Sequence, residues 1–358
     1  MLVEVLLLAL FASTTSSEDC KCNDASKAWG GVAYHCSRCT SVPQTLPNGL
    51  TFLGLDEYLG MNLTSYDLRH YKDTLEEVRV DISKKTRGNI GTHAFQGLKK
   101  LTALYLVGND MKHFPHLPHS TEVVEMQENQ IQALPDMYLP NLQELMLDTN
   151  RIQQLPGIFI AEKLTALSLY DNQLTSANLR QLPGLRIVDL GVNRLQSFPE
   201  LPKSVAVAKL QFNQISTIPK LDLPNLTQLD LSNNNITHIM NGTFRGCPKL
   251  MLVKLNGNPI KYIAPSEKAR LRRLQECDLP KGVTLDIKSR VSWVWMSVIG
   301  LAVVACFIAM VYFLSSRISR RRGYVRPHKV WHVNLRTPIY RGKRNEGTVY
   351  KQLVSEAF

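Results

Sequence analysis

The side chains of this 358-residue chain that could perform acid–base or metal chemistry are its histidines and cysteines. Among the nine histidines, His113, His116 and His119 follow one another at steps of three. They lack the nucleophile, the paired acid and base, or the set of metal ligands that catalysis requires. No glycine-rich phosphate loop occurs either. The sequence therefore predicts a protein that is not an enzyme and that uses no cofactor or metal.

Four of the seven cysteines are concentrated near the N-terminus. They are Cys20, Cys22, Cys36 and Cys39. In a secreted chain they predict two disulfides, whereas zinc binding is the alternative interpretation of the same spacing. Four cysteines allow three pairings, and the sequence does not choose among them. Cys247 and Cys277 predict a third disulfide near the other end of the repeats, and Cys306 is left over.

A periodic frame, L-x-x-L-x-L-x-x-N-x-L, occupies the middle of the chain. Its eight copies, repeats 1 to 8, begin at Leu101, Thr121, Leu142, Leu164, Leu185, Val205, Leu226 and Leu250. Their ninth residues are Asn109, Asn129, Asn150, Asn172, Asn193, Asn213, Asn234 and Asn258. Because the sixth and eleventh positions are always aliphatic or Met, each repeat must stack on its neighbour to bury them.

The frame resembles the leucine-rich repeat of extracellular proteins. L-x-L alternation predicts short parallel strands, with the leucines in a core and the intervening side chains outward on a concave face. The asparagine carboxamide is expected to bond the backbone where each strand ends. Prolines such as Pro135 and Pro156 disfavour helix in the return segments, which should be extended or 3-10. The predicted fold class is a disulfide-capped leucine-rich repeat solenoid with one transmembrane helix.

The solenoid is expected to lie between targeting and membrane segments. The predicted boundaries are a signal peptide at 1–17, a cysteine-rich cap at 18–49, irregular repeats at 50–100, eight repeats at 101–262, a C-terminal cap and stalk at 263–292, a transmembrane helix at 293–314 and a cytoplasmic tail at 315–358. The register of the irregular repeats is left open. The 22 uncharged residues from Trp293 to Leu314 are long enough to cross a bilayer core of about 30 Å.

The charge distribution favours a type I plasma-membrane topology. Of the formal net charge of +12, residues 315–358 carry most, with 11 Lys and Arg against 2 Asp and Glu. A basic tail after the span is predicted to be cytoplasmic and to contact anionic lipid rather than nucleic acid. Within it, Tyr350 and Leu353 fit the endocytic signal Y-x-x-Φ, and the tail is expected to serve trafficking or adaptor recruitment.

Four sequons agree with an extracellular repeat region. They are at Asn62, Asn225, Asn235 and Asn241. The sequence predicts glycosylation of at least one of them, and it does not indicate which.

Outward positions of the repeats form an expected ligand-binding strip. Its acidic members are Glu125, Glu128, Glu144, Asp148, Asp171 and Asp189, and its apolar members are Tyr105, Met146, Tyr170 and Phe212. A face of one sign attracts a basic ligand, and large apolar side chains serve as anchors. A solvated polar surface is the alternative. A separate basic patch at Lys268, Arg270, Arg272 and Arg273 has two interpretations, glycosaminoglycan binding and a solvated helix, of which the solvated helix is favoured.

The repeats resemble small leucine-rich proteoglycans in particular. Leu-Pro-x-Ser returns at 117–120 and 201–204, the short repeats and a two-cysteine rear closure carry the resemblance. It implies ligand binding through the solenoid, commonly its concave face, without catalysis. The front cysteine spacing and the membrane span depart from that family.

Together these features predict a cell-surface protein that binds an extracellular protein ligand, as an adhesion protein or a receptor subunit. The alternatives are a membrane-tethered matrix organiser that binds collagen-like or glycosaminoglycan partners, and an innate-immune co-receptor or decoy. Neither the ligand nor the oligomeric state can be inferred from the sequence.

Overall fold

The computed structural model describes residues 20–29, 31–60, 62–82 and 89–283. Contacts group residues up to Ser26 and residues 31–285 into one unit, whereas the second unit, residues 27–30 and 286–358, lies almost wholly outside the described residues. The expected signal peptide, transmembrane helix and cytoplasmic tail lie outside them as well. Among the described residues, no helix is both long and apolar enough to cross a bilayer.

One sheet of thirteen strands organises the described solenoid. Its strands in spatial order are β1 (Lys21–Asp24), β2 (Val32–Ser37), β3 (Leu50–Tyr58), β5 (Glu77–Ile82), β7 (Ala103–Tyr105), β8 (Val123–Glu125), β10 (Glu144–Met146), β12 (Ala166–Ser168), β13 (Ile187–Asp189), β14 (Val207–Lys209), β15 (Gln228–Asp230), β17 (Leu252–Lys254) and β19 (Glu276–Asp278). β1 is antiparallel to β2, and the remaining neighbours are parallel. This arrangement confirms the predicted parallel solenoid.

The register aligns the frames residue for residue. The fourth positions of successive repeats pair directly, as Leu145 does with Val124 and with Leu167. These side chains are fully buried, together with the sixth-position leucines. The leucines therefore form one continuous core, as the period predicted.

Short strand pairs occupy several return segments. They are β4 (Asn62–Leu63) with β6 (Asn89–Ile90), β9 (Met137–Tyr138) with β11 (Phe159–Ile160), and β16 (His238–Ile239) with β18 (Tyr262–Ile263). The described helices are α1 (Ser26–Trp29), α2 (Ser65–Leu68) with a 3-10 turn at Arg69–Tyr71, and α3 (Pro265–Leu271). The returns between residues 101 and 260 contain extended pairs and no described helix, in line with their prolines.

The ninth-position asparagines join consecutive repeats. Asn150 Nδ2 donates to the carbonyl of Met126 in the preceding repeat, at 2.9 Å, and to that of Leu147, at 3.0 Å. Its Oδ1 accepts the backbone N–H of Ile131, also in the preceding repeat, at 3.0 Å. Equivalent bonds recur at Asn172, Asn193, Asn213 and Asn234. The asparagines thus tie one repeat to the next as well as ending the strand.

The irregular region before residue 101 joins the same sheet. Leu53 of β3 pairs with Val78 of β5, which pairs with Leu104 of the first clear repeat. A register shift between Leu55 and Tyr58 accommodates the longer repeats. The structure therefore settles the register that the sequence left open.

Two disulfides hold the strands of the N-terminal cap together. Cys20 is bonded to Cys39, and Cys22 to Cys36, so that one of the three pairings open from the sequence is realised. Both bridges tie the region of β1 to that of β2, and Cys36 and Cys39 are buried in the first layers of the core.

The predicted bridge between Cys247 and Cys277 is wrong for this structure, because both cysteines are free. Cys277 lies within the last strand, β19, where the parallel register pairs it with Val253. Cys247 precedes repeat 8, in the turn before Leu250, and is buried in the core. The register therefore places Cys277 beside Val253, which is six residues after Cys247 in the sequence, and not beside Cys247 itself.

Candidate ligand-binding face

The sheet face consists of the third, fifth, seventh and eighth positions of the eight repeats, which alternate with the inward leucines. The structure gives the ten expected binding residues three different environments. Glu128, Glu144 and Phe212 are exposed, Tyr105, Glu125, Tyr170 and Asp171 are half-buried, and Met146, Asp148 and Asp189 are buried. Because strands lie only about 4.8 Å apart, neighbouring outward side chains cover the shorter ones. The expected strip is therefore partly a packed layer.

The eighth position has a backbone conformation that the pattern did not indicate. Glu128, Asp171, Val192 and Phe212 all have φ between 52° and 56°, in the left-handed region. Gly108 and Gly257 occupy the same position in the first and last repeats, also with positive φ. Those two glycines are the feature of the sequence from which the left-handed backbone at the eighth position could have been predicted. The conformation turns the chain just before the asparagine and leaves Phe212 56% exposed.

Asp148 of repeat 3 is buried against repeat 4, and only 6% of its surface is exposed. Its Oδ1 accepts hydrogen bonds from the Ser168 hydroxyl and from the backbone N–H of Tyr170, the latter at 3.0 Å. Its Oδ2 has no hydrogen-bond partner among the described residues. Burial, together with the charges of Asp189 and Asp171, raises the pKa of Asp148 to about 7, against the lowering effect of the Ser168 bond.

Asp189 occupies a similar environment one repeat beyond Ser168. It is 5% exposed, and its Oδ1 accepts the backbone N–H of Gly191 at 2.9 Å. Its Oδ2 has no hydrogen-bond partner among the described residues. Burial raises the pKa of Asp189 to about 6, although the Gly191 bond and the charge of Lys209 act in the opposite direction.

The charge of the face changes character along the solenoid. In repeats 2 to 5 the third, fifth, seventh and eighth positions carry acids and no Lys or Arg. Beyond Asp189, the fifth position alternates through Lys209, Asp230 and Lys254, and the Lys254 Nζ lies 3.6 Å from Asp230 Oδ2. Burial also raises the pKa of Glu144. The excess of acidic over basic residues on this face is therefore concentrated in repeats 2 to 4, where a cationic group would lower the electrostatic free energy most.

The sequence pattern did not single out several residues that belong to the same surface. Gln127, Ser168, Gly191 and Gln211 occupy fifth or seventh positions, whereas the expected strip contains only acidic and large apolar side chains. Treating every fifth and seventh position alike would have found them.

The remaining predicted sites lie at separate places. Asn62, Asn235 and Asn241 are exposed, and Asn225 is half-buried with its Nδ2 bonded to the Lys203 carbonyl at 3.1 Å. Tyr350 and Leu353 lie outside the described residues. Of the basic residues in and just after helix α3, Arg272 and Arg273 are exposed.

Comparisons with known proteins identify the repeat. A leucine-rich repeat family model matches residues 222–280. Human Toll-like receptor 8 is 29% identical over 203 residues, covering 52% of this chain and 19% of the receptor. Pig fibromodulin is 30% identical over 140 residues, covering 38% of this chain and 81% of fibromodulin. Across the first curated relatives, which include two mouse podocan proteins, this chain spans 19% to 40% of the relative's length.

A solved structure is similar in fold. The leucine-rich repeat domain of APL1 is 18% identical to this chain, with a TM-score of 0.56 over 68% of this chain and 72% of that one. At this identity the likeness concerns the fold alone.

Proposed function

Since this chain belongs to the extracellular leucine-rich repeat family, of which fibromodulin is a relative 30% identical to it, we propose that it binds an extracellular protein ligand through its sheet face. The protein acts as a single-pass type I protein of the plasma membrane, as an adhesion protein or a receptor subunit. Its short basic tail serves trafficking or adaptor recruitment through Tyr350 and Leu353. The described solenoid lies outside the cell and carries the binding surface.

The observation that carries the proposal is the excess of acidic over basic residues in repeats 2 to 4. Glu128 and Glu144 are exposed there, and Asp171 is half-buried. Like charges on neighbouring strands destabilise a sheet. Their presence on one face, with the exposed aromatic side chain of Phe212 two repeats beyond Asp171, supports a ligand that compensates them.

Charge reversal tests this proposal. The full-length chain, expressed on cells, is screened against secreted and cell-surface proteins, and the partners are then measured against a Glu144→Lys, Asp171→Lys variant. We expect this variant to reach the surface normally and to lose at least tenfold in affinity, because two ion pairs become repulsive.

A matched control reverses two exposed acids outside the sheet face, Glu162→Lys and Asp222→Lys. It carries the same change in net charge and should bind as the wild type does. Equal binding by both variants would contradict a role for the acidic face.

A matrix-organising protein is the second candidate, and the likeness to fibromodulin and to the podocans supports it. In this alternative the chain tethers collagen-like or glycosaminoglycan partners without transmitting a signal. Removal of residues 323–358 distinguishes the two, because a receptor subunit loses its cellular output and a tether keeps its function. The likeness to Toll-like receptor 8 supports an innate-immune co-receptor or decoy as a third alternative.

A further inference from the structure

The sheet face holds a set of buried oxygens that have no hydrogen-bond donor. Six buried side-chain polar atoms in the described residues lack a partner, and five of them are oxygens on this face. They are Gln127 Oε1, Asp148 Oδ2, Asp189 Oδ2, Gln211 Oε1 and Asn256 Oδ1. Leaving such a buried group unpaired destabilises the fold, because its bond to water is lost and not replaced. Because all five are acceptors, the missing partner must be a group that donates hydrogen bonds.

Two of these oxygens belong to adjacent repeats. Gln127 and Asp148 both occupy the seventh position, and Glu125 pairs with Met146 two residues earlier. The strands remain together beyond that pair, since the N–H of Glu128 donates to the carbonyl of Asp148 at 2.9 Å. Gln127 and Asp148 therefore occupy equivalent places on adjacent repeats, and the side-chain bonds of Asp148 lead on to repeat 4.

Ser168 links this pair to the second carboxylate. Its hydroxyl donates to Asp148, and the register of β12 and β13 places it directly beside Asp189. Neighbouring parallel strands are about 4.8 Å apart, so Asp148 and Asp189 lie on either side of one small residue. Ser168 satisfies one oxygen of Asp148 and leaves Oδ2 of both carboxylates unpaired.

We propose that Asp148 and Asp189 form a subsite for one basic side chain of the protein ligand. The N–H groups of an arginine or lysine supply the donors that the two Oδ2 atoms lack, and its positive charge offsets two buried carboxylates. Charge-assisted bonds of this kind are the stronger class of hydrogen bond. This subsite rests on the proposed protein-binding function and specifies the chemistry of its central contact.

The Gln211 side chain lies close to the Asp189 carboxyl group. A methyl group placed on Gly191 would lie 2.4 Å from Gln211 Nε2 and 3.1 Å from Asp189 Oδ1. The Gln211 amide therefore rests over the glycine, next to the Asp189 carboxyl group. It is the far end of a flexible side chain, so an incoming cationic group can displace it by rotation without any movement of the sheet.

The test uses the full-length protein and two synthetic peptides. One is a nine-residue glycine–serine peptide with a single central arginine, and the other carries citrulline at that place. Citrulline has nearly the same shape without the positive charge. Nuclear magnetic resonance titration measures the dissociation constants for the wild type, for Asp148→Asn and Asp189→Asn, and for Asp230→Asn, an acid of the same face that is already paired with Lys254.

We expect the wild type and Asp230→Asn to bind the arginine peptide alike and about tenfold more tightly than the citrulline peptide. Asp148→Asn and Asp189→Asn should each lose most of this difference. Equal affinity of the wild type for both peptides, or absence of binding to either, overturns the subsite whether or not the variants fold. A protein ligand that binds Asp148→Asn and Asp189→Asn undiminished also overturns it, while leaving the proposed function intact.

Discussion

Two buried carboxylates of the sheet face lower the stability of the fold when they are charged. The pKa of Asp148 is raised to about 7 and that of Asp189 to about 6, mainly because burial disfavours the charged form. The charges of Asp189 and Asp171 also act on Asp148, and those of Lys209 and Asp230 act on Asp189. A functional surface commonly retains groups that lower stability, because the ligand later satisfies them. The eighth-position residues show a similar compromise, since Val192 is held at φ 52°, a conformation that β-branched residues rarely adopt.

The raised pKa values predict how stability depends on pH. Both folded-state values lie above the ordinary value of 3.8, so that between about pH 4 and 7 the folded protein binds more protons than the unfolded chain. Stability should therefore fall as pH rises through this window, by about 1.4 kcal/mol for each unit of pKa shift. Thermal unfolding of the full-length chain at pH 5 and pH 7.5 measures the change.

In the Asp148→Asn variant the dependence on pH should be weaker, and at pH 7.5 its unfolding temperature should equal or exceed that of the wild type. An Asp110→Asn variant, altered at an exposed carboxylate, is the control and should keep the wild-type dependence. A wild-type unfolding temperature that rises steadily from pH 5 to pH 7.5 would refute this assignment.

At the scale of the element, the asparagine ladder converts separate repeats into a single body. Asn172 Nδ2 donates to the carbonyls of Leu147 and Leu169, at 2.9 and 3.2 Å, and its Oδ1 accepts the N–H of Ile152 at 3.0 Å. The strands themselves are only three residues long, and backbone bonds continue on both sides of them, as from the N–H of Thr149 to the carbonyl of Tyr170 at 2.8 Å. The asparagine bonds add to this ladder by pairing buried backbone groups at the turn that follows each strand.

Replacing Asn172 by alanine should destabilise the solenoid by roughly 3 kcal/mol, because buried backbone groups of repeat 3 lose their partners. Urea unfolding measures the loss, and hydrogen exchange should show faster exchange at Ile152. The control is Asn178→Ala, an exposed asparagine in a return segment, with an expected effect within about 0.5 kcal/mol. An equal effect of both substitutions would mean that the ladder contributes little.

At the scale of the whole molecule, the described solenoid must close the ends of its core. At the N-terminal end, β1 turns antiparallel and is joined by two disulfides, so that this small element covers the first layers. At the C-terminal end, β19 adds a last strand after α3, and Leu271 of that helix is buried. Terminal repeats of a solenoid need such covering because one side of their core has no neighbour.

Removal of the Cys20–Cys39 bridge by a double Cys→Ser substitution should cost about 3 kcal/mol, because it frees a loop with a sequence separation of 19. Limited proteolysis should then cut first within residues 20–58. The matched variant removes the Cys22–Cys36 bridge, whose separation of 14 predicts a slightly smaller loss. Mass spectrometry of peptides from the unreduced protein tests the pairing, and a Cys20–Cys36 peptide would contradict it.

The sequence by itself determined the solenoid, the inward leucines, the structural asparagines and the acidic character of repeats 2 to 5. Each of these follows from a short pattern that recurs along the chain, so that local spacing alone specifies it. The tertiary structure alone decided the cap pairing, the free state of Cys247 and Cys277, the left-handed eighth positions and the burial of Asp148 and Asp189. These depend on which residues meet across neighbouring strands, and such residues are far apart in the sequence, by 19 and 14 positions for the cap bridges and by 20 for Asp148 and Ser168. The unpaired oxygens of the sheet face are visible only in the tertiary structure. The repeat pattern shows that a position faces outward, but it does not show which neighbouring side chains cover that position.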